Sequence, residues 1–158
     1  MKAHPTDELA HVAAAIEAHR GRPGALMPML HAVQDALGYV PDAAVPLLAQ
    51  AVNWSRAEVH GVLTYYHHFR RTPAGRHVLQ VCRAEACQSC GAEDLLAHAE
   101  QVLGCGLHET NASGAVTLEP VYCLGLCASS PAVQIDDKPY ARMTPARLDR
   151  LLADAEAR

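Results

Sequence analysis

Apolar residues recur every three or four positions through the first half of the chain, and every second position soon after its midpoint. These are the repeats of a helix face and of a strand face. Residues 7–19 (DELAHVAAAIEAH) place Leu9, Val12 and Ile16 on one side, with Gly21 as a stop. A second helix is predicted over about 25–37, striped by Leu26, Leu30, Val33 and Leu37, with Gly38 suited to the position past a helix end. A third spans about 42–52, carrying Val45, Leu48 and Val52. Its Pro46 is tolerated near the first turn, where a missing N–H costs little. Ser55-Arg56-Ala57-Glu58 reads as a capping box opening a fourth helix, with Val59, Val62, Leu63 and Tyr66 as the stripe expected to be buried. Short helices joined by short connections predict a small helical bundle.

Thr72-Pro73-Ala74-Gly75 interrupts the pattern, and residues 77–81 then alternate as a strand. A helix is predicted over 92–103, ended by Gly104, and a strand over 116–119. Residues 132–135, Asp136-Asp137 and 139–143 suggest a hairpin. Thr144-Pro145 supplies an N-cap and a proline at the first helical position, opening a last helix to about Ala155. The order β-α-β-β-β-α predicts a small α/β layer. The chain is therefore expected to be α+β, with a helical bundle over 1–72 and a second domain over 73–158. No internal repeat or low-complexity linker is present.

Composition narrows the chemistry. At 158 residues, half of them apolar, the chain can bury a core without disulfides. Thirteen Lys and Arg against seventeen Asp and Glu give a net charge of −4, the opposite of the basic stripe that nucleic-acid binding needs. No apolar run approaches the roughly 20 residues of a membrane-spanning helix. The start, MKAHPTDELA, lacks the apolar stretch of a secretory signal. A soluble, cytoplasmic protein without membrane insertion is expected, in a compartment where thiols stay reduced.

Six cysteines in such a compartment require a chemical reason, and all six lie between Cys82 and Cys127. Cys82 ends the predicted strand and Cys87 follows as C-x4-C; after 35 intervening residues, Cys123 and Cys127 form C-x3-C. Both pairs sit where a strand gives way to a loop, so parallel neighbouring strands would bring the four thiols together. A structural zinc ion and a 2Fe–2S cluster are both compatible with cysteine pairs of this kind. The spacing favours the cluster without excluding zinc. A 2Fe–2S centre with four thiolates carries about −2 when oxidised and −3 when reduced. It therefore needs backbone N–H groups rather than more carboxylates. Gly91, Gly125, Ala84, Ala86, Ala128 and Ser129 let the backbone close around sulfur. Glu85, inside the first loop, is expected to point outward.

A rival reading is a dithiol enzyme, since Cys87-Gln88-Ser89-Cys90 is a C-x-x-C between a strand and a helix. It leaves Cys82, Cys123 and Cys127 without a role. Elsewhere, His67-His68 beside Tyr65, Tyr66 and Phe69 reads as a packing or subunit-contact patch on the fourth helix. Arg70, Arg71 and Arg76 read as solvated surface. No nucleotide-binding glycine motif and no nucleophile motif is present, so no stand-alone active site is expected.

The segments Val81-Cys82-Arg83-Ala84-Glu85-Ala86-Cys87-Gln88 and Tyr122-Cys123-Leu124-Gly125-Leu126-Cys127-Ala128-Ser129-Ser130-Pro131 resemble the 2Fe–2S subunits related to the 24-kDa subunit of respiratory complex I. Within them, the likeness is greatest to the gamma subunits of NAD-dependent, molybdenum-containing formate dehydrogenases. Gly38-Tyr39-Val40-Pro41 and the segment from Glu58 to Tyr66 look like the helical part of the same family. The resemblance implies a thioredoxin-like ferredoxin domain in the second half. It implies one 2Fe–2S cluster held by Cys82, Cys87, Cys123 and Cys127, with Cys90 passive or an alternative ligand and Cys105 structural. It also implies an electron-transfer role within a complex oxidising formate and reducing NAD⁺. Partner subunits would carry FMN, the NAD site, further iron–sulfur clusters and a molybdenum pterin. The equivalent subunit of complex I or of a NAD-reducing hydrogenase is the alternative.

Overall fold

The computed structural model describes residues 5–157. Met1 to His4, the start of the segment read for a leader, lie outside the described residues. The chain forms two compact units, one ending at Pro73 and one beginning at Ala74. Among the described residues, no helix is long and apolar enough to cross a membrane.

The first unit consists of α1 (Pro5–His19), α2 (Leu26–Leu37), α3 (Ala44–Val52) and α4 (Arg56–Tyr65). Helix α1 packs on α2 and α3, and α3 packs on α4. Val12, Met29, Leu30, Val33, Leu48 and Val59 form the centre of the core. Gly38 ends α2 at φ 80°, a left-handed conformation natural to glycine, and its N–H donates to the Gln34 carbonyl at 2.7 Å. The capping box at α4 is complete: the Glu58 N–H donates to Ser55 Oγ, and the Ser55 N–H donates to Glu58 Oε2. The side-chain amide of buried Gln34 is satisfied at both ends. It donates to the His68 carbonyl at 2.8 Å and accepts from the Arg70 N–H at 2.7 Å, tying the segment after α4 back to α2.

Several expected positions differ. Leu9 is 41% exposed and Tyr66 45%, so neither belongs to the core stripe. Tyr66 is already extended, at φ −89° and ψ 101°, and leaves the helical face that Val59 and Leu63 share. Phe69, three residues on, fills the core instead. His67 and His68 lie in the turn beyond α4 rather than on a helix. The His68 ring sits 5.2 Å from the ring of His31 and 5.7 Å from that of Phe69, a packing contact.

The second unit comprises β1 (His77–Cys82), α5 (Glu85–Gln88), α6 (Ala92–Leu103), β2 (Glu109–Thr110), β3 (Val116–Val121), a 3-10 turn (Cys127–Ser129), β4 (Val133–Ile135), β5 (Lys138–Tyr140) and α7 (Pro145–Glu156). The sheet order is β2-β3-β1-β4-β5. β1 and β3 run parallel, whereas β1 with β4, β2 with β3 and β4 with β5 pair antiparallel. Leu79, Val81, Val116, Leu118 and Val133 form the buried side of the sheet, and α6, through Leu95, Leu96 and Ala99, packs on it and against α7. Two elements escape periodicity because they are too short to show any: the single turn α5 and the two-residue β2. The chain enters β1 under a tight constraint. The Gly75 N–H donates to Thr117 Oγ1 at 2.6 Å, and a Cβ on Gly75 would stand 3.0 Å from the Ala115 backbone.

Replacing Leu79, fully buried at the centre of the sheet, by Ala should cost about 2–5 kcal/mol in urea unfolding. Ser55→Ala, which removes the α4 cap, should cost about 1 kcal/mol. Leu9→Ala should stay within about 0.5 kcal/mol of the parent chain.

Candidate metal centre

The parallel ladder sets Cys82 opposite Val121, at the carboxyl ends of β1 and β3. It continues one bond further, the Arg83 N–H donating to the Val121 carbonyl at 2.7 Å. Beyond this point both chains turn. The first makes α5, whose single turn carries Cys87. The second runs through Tyr122 to Cys123, then Gly125 at φ 76°, and enters the 3-10 turn at Cys127. Cys123 adopts φ 126°, a left-handed region that a non-glycine residue occupies at a cost of about 1–3 kcal/mol. Strain of this kind is typical of residues whose surroundings hold them for a purpose. The Ser130–Pro131 peptide bond that follows is cis.

The two pairs differ in setting. Cys82 and Cys87 are buried, each 2% exposed, in a small apolar cluster with Ala92 and Ala132. Cys123 and Cys127 are exposed, with their sulfurs 3.7 Å apart. Two thiolates on one tetrahedral metal ion, each about 2.3 Å from it, lie about 3.8 Å apart, so this pair is spaced as ligands of one ion. All six cysteines are free thiols. Among the described residues, no group of three or more His, Cys, Asp or Glu side chains is gathered as a single ion requires. Two cysteine pairs at one end of the sheet are the donor set that a binuclear cluster, with two thiolates on each iron, would use.

Backbone and hydroxyl donors surround the sulfurs. Burial pushes the Cys82 thiol up, while the N–H groups of Ala84 and Leu124 act against that rise. Burial also works upward on Cys87, but bonds from the Ser130 hydroxyl, Cys82 and the Ala132 N–H bring it below the ordinary cysteine value. The hydrogen bond with Cys123, and then that neighbour's charge, push Cys127 up; Cys87 and Cys82 add to the same repulsion. Four thiols that perturb one another in this way lie within electrostatic reach. The Gly125 N–H donates to Cys123 Sγ at 3.3 Å. N–H dipoles aimed at sulfur are what a cluster of net negative charge needs, and the residues fit one.

The neighbours agree with this. Glu85 is exposed at the start of α5, as expected. The Arg83 guanidinium is engaged by a two-pronged pair with Glu93, at 3.0 and 2.9 Å. Cys90 is exposed and its sulfur lies 3.9 Å from Ser89 Oγ, while the bonds of Cys87 go to Ser130, Cys82 and Ala132. Cys105 is half-buried beside the second unit's core, and burial, then Glu109 and Glu100, push its thiol up. Sequence reasoning named the backbone at Ala84 and Gly125 but did not find Ser130 or the donors at Leu124 and Ala132. A backbone N–H carries no side-chain signature, and a serine after a cysteine turn has many ordinary uses.

The model of the thioredoxin-like [2Fe-2S] ferredoxins matches residues 12–156. The chain is 36% identical over 138 residues to NADH-quinone oxidoreductase subunit 2 of Thermus thermophilus, covering 87% of this chain and 76% of that one. It is 38% identical over 123 residues to a NADH-quinone oxidoreductase subunit of Pseudomonas aeruginosa, covering 78% and 74%. Among solved structures, a NAD⁺-reducing [NiFe]-hydrogenase in the H₂-reduced state superposes with a TM-score of 0.67 at 23% identity, a likeness of fold. That match covers 82% of this chain and spans 22% of the hydrogenase polypeptide. The chain belongs to the thioredoxin-like [2Fe-2S] ferredoxin family.

Proposed function

We propose that Cys82, Cys87, Cys123 and Cys127 hold one 2Fe–2S cluster, and that the chain carries single electrons as a subunit of a NAD-linked oxidoreductase complex. The observation that supports this most directly is the meeting of two cysteine pairs at one end of the β1–β3 ladder, with N–H groups turned on the sulfurs. When bound, the cluster supplies reversible one-electron chemistry. The chain's own residues do the rest. Cys82 and Cys87 anchor the buried side, where Ala92 and Ala132 exclude water. The N–H groups of Ala84, Leu124, Ala132 and Gly125 offset negative charge and so favour the reduced state. Cys123 and Cys127 present the other side to the surface, where an electron can pass to or from a partner.

In this reading the chain is the counterpart of those two NADH-quinone oxidoreductase subunits, or of the equivalent part of a NAD-reducing hydrogenase. The relatives named above support that assignment ahead of the formate dehydrogenase type, which only the likeness of the cysteine segments favours. A flavin- and NAD-binding subunit is the neighbour either way. A molybdenum subunit belongs to the formate alternative alone. The portion from about residue 73 onward is proposed as the cluster-holding domain.

Cys123→Ser and Cys82→Ser should lose the absorbance and low-temperature EPR of a reduced 2Fe–2S centre, while Cys90→Ser keeps both; a parent chain without that signal, whose disulfide-reducing activity is lost in Cys90→Ser, would favour a dithiol enzyme. Glu85→Gln should leave the midpoint potential unmoved, because the carboxylate faces solvent. Pull-down from the native host should recover a flavoprotein together with quinone-reductase or nickel–iron hydrogenase subunits. Recovery of a molybdenum enzyme instead would decide for formate.

A further inference from the structure

Most donors at the sulfurs are backbone N–H groups, fixed in direction by the fold. Ser130 is different. Its Oγ lies 3.4 Å from Cys87 Sγ and donates to the Cys127 carbonyl at 3.0 Å. It follows the 3-10 turn in an extended conformation, at φ −64° and ψ 156°, and so touches both cysteine pairs at once: the sulfur of one and the backbone of the other. A serine hydroxyl has one proton and turns freely about its Cβ–Oγ bond. A cysteine that ligates a metal has given up its proton and can only accept. Cys87 as a ligand and the Cys127 carbonyl therefore compete for the single proton of Ser130.

Charge decides that competition. Adding one electron takes the centre from about −2 to about −3, and a more negative sulfur is the stronger acceptor. The carbonyl is neutral in both states. We infer that the Ser130 hydroxyl sets the reduction potential, turning toward the Cys87 sulfur when the site gains an electron and back to the Cys127 carbonyl when it loses one. The proton stays on Oγ throughout, and the electron comes from a reduced flavin or, in the laboratory, from dithionite. The hydroxyl stabilises the reduced state more than the oxidised one and so holds the potential up. Ser130 is a positioning residue in this sense, acting through Cys87, and the inference rests on Cys87 being a ligand as proposed above.

The test is an EPR-monitored dithionite titration of the full chain, purified anaerobically, as parent, Ser130→Ala and Ser130→Thr. Ser130→Ala should keep the cluster and titrate at a more negative potential, with Ser130→Thr returned toward the parent because its hydroxyl is retained. Equal potentials for parent and Ser130→Ala would overturn the inference, as would Ser130→Thr shifting as far as Ser130→Ala. If Ser130→Ala assembles no cluster, pulsed EPR of the reduced parent and Ser130→Thr in H₂O and D₂O decides. A strongly coupled hydroxyl proton that exchanges in both supports the inference, and its absence refutes it. A parent chain without any 2Fe–2S signal would sink the proposed function first, and this inference with it; a normal parent signal with an unmoved Ser130→Ala potential would sink this inference alone.

Discussion

The register of one parallel strand pair governs where the sulfurs fall. Cys82 opposite Val121 means that two cysteine loops, 35 residues apart in sequence, leave the sheet at the same end. A slip of one residue would turn Cys82 and its neighbours to the opposite face, because side chains alternate along a strand. Burial of Leu79, Val81, Val116 and Leu118 opposes such a slip, since each would be turned out of the core. Packing of the sheet and assembly of the metal centre are thus one problem. The carboxyl ends of parallel strands are also where helix starts and loop N–H groups gather, which suits negative ligands.

The site is asymmetric in a way that fits traffic of electrons. Burial on the Cys82 and Cys87 side lowers the local dielectric and makes each hydrogen bond count for more. Exposure on the Cys123 and Cys127 side shortens the path to another protein. The strained backbone at Cys123 is sustained because Gly125 and the 3-10 turn hold the loop in one shape. The charged side chains of the first loop are otherwise engaged, Glu85 exposed to solvent and Arg83 paired with Glu93. What remains at the centre is a set of dipoles, fixed where they are backbone and adjustable at Ser130.

Much of this was legible from residues, for identifiable reasons. The Ser55–Glu58 box, Gly38, Gly104 and Thr144-Pro145 marked helix ends because capping is local chemistry. The cysteine spacing pointed to two converging loops because a parallel strand pair is a common frame for them. Leu9 and Tyr66 were misplaced because a helical stripe predicts a face but not how far the neighbouring helix reaches. The turn α5 and strand β2 were invisible because one turn and two residues carry no period. The donors at Leu124 and Ala132 were out of reach because any residue except proline supplies the same N–H.

The most direct trial of a shared binuclear centre is native mass spectrometry of the anaerobically purified chain, with iron and inorganic sulfide counted on the same sample. Two irons and two sulfides per polypeptide, lost together on acidification, are the expected increment. A single zinc ion, or a bare polypeptide that takes up no iron when reconstituted, would contradict the account.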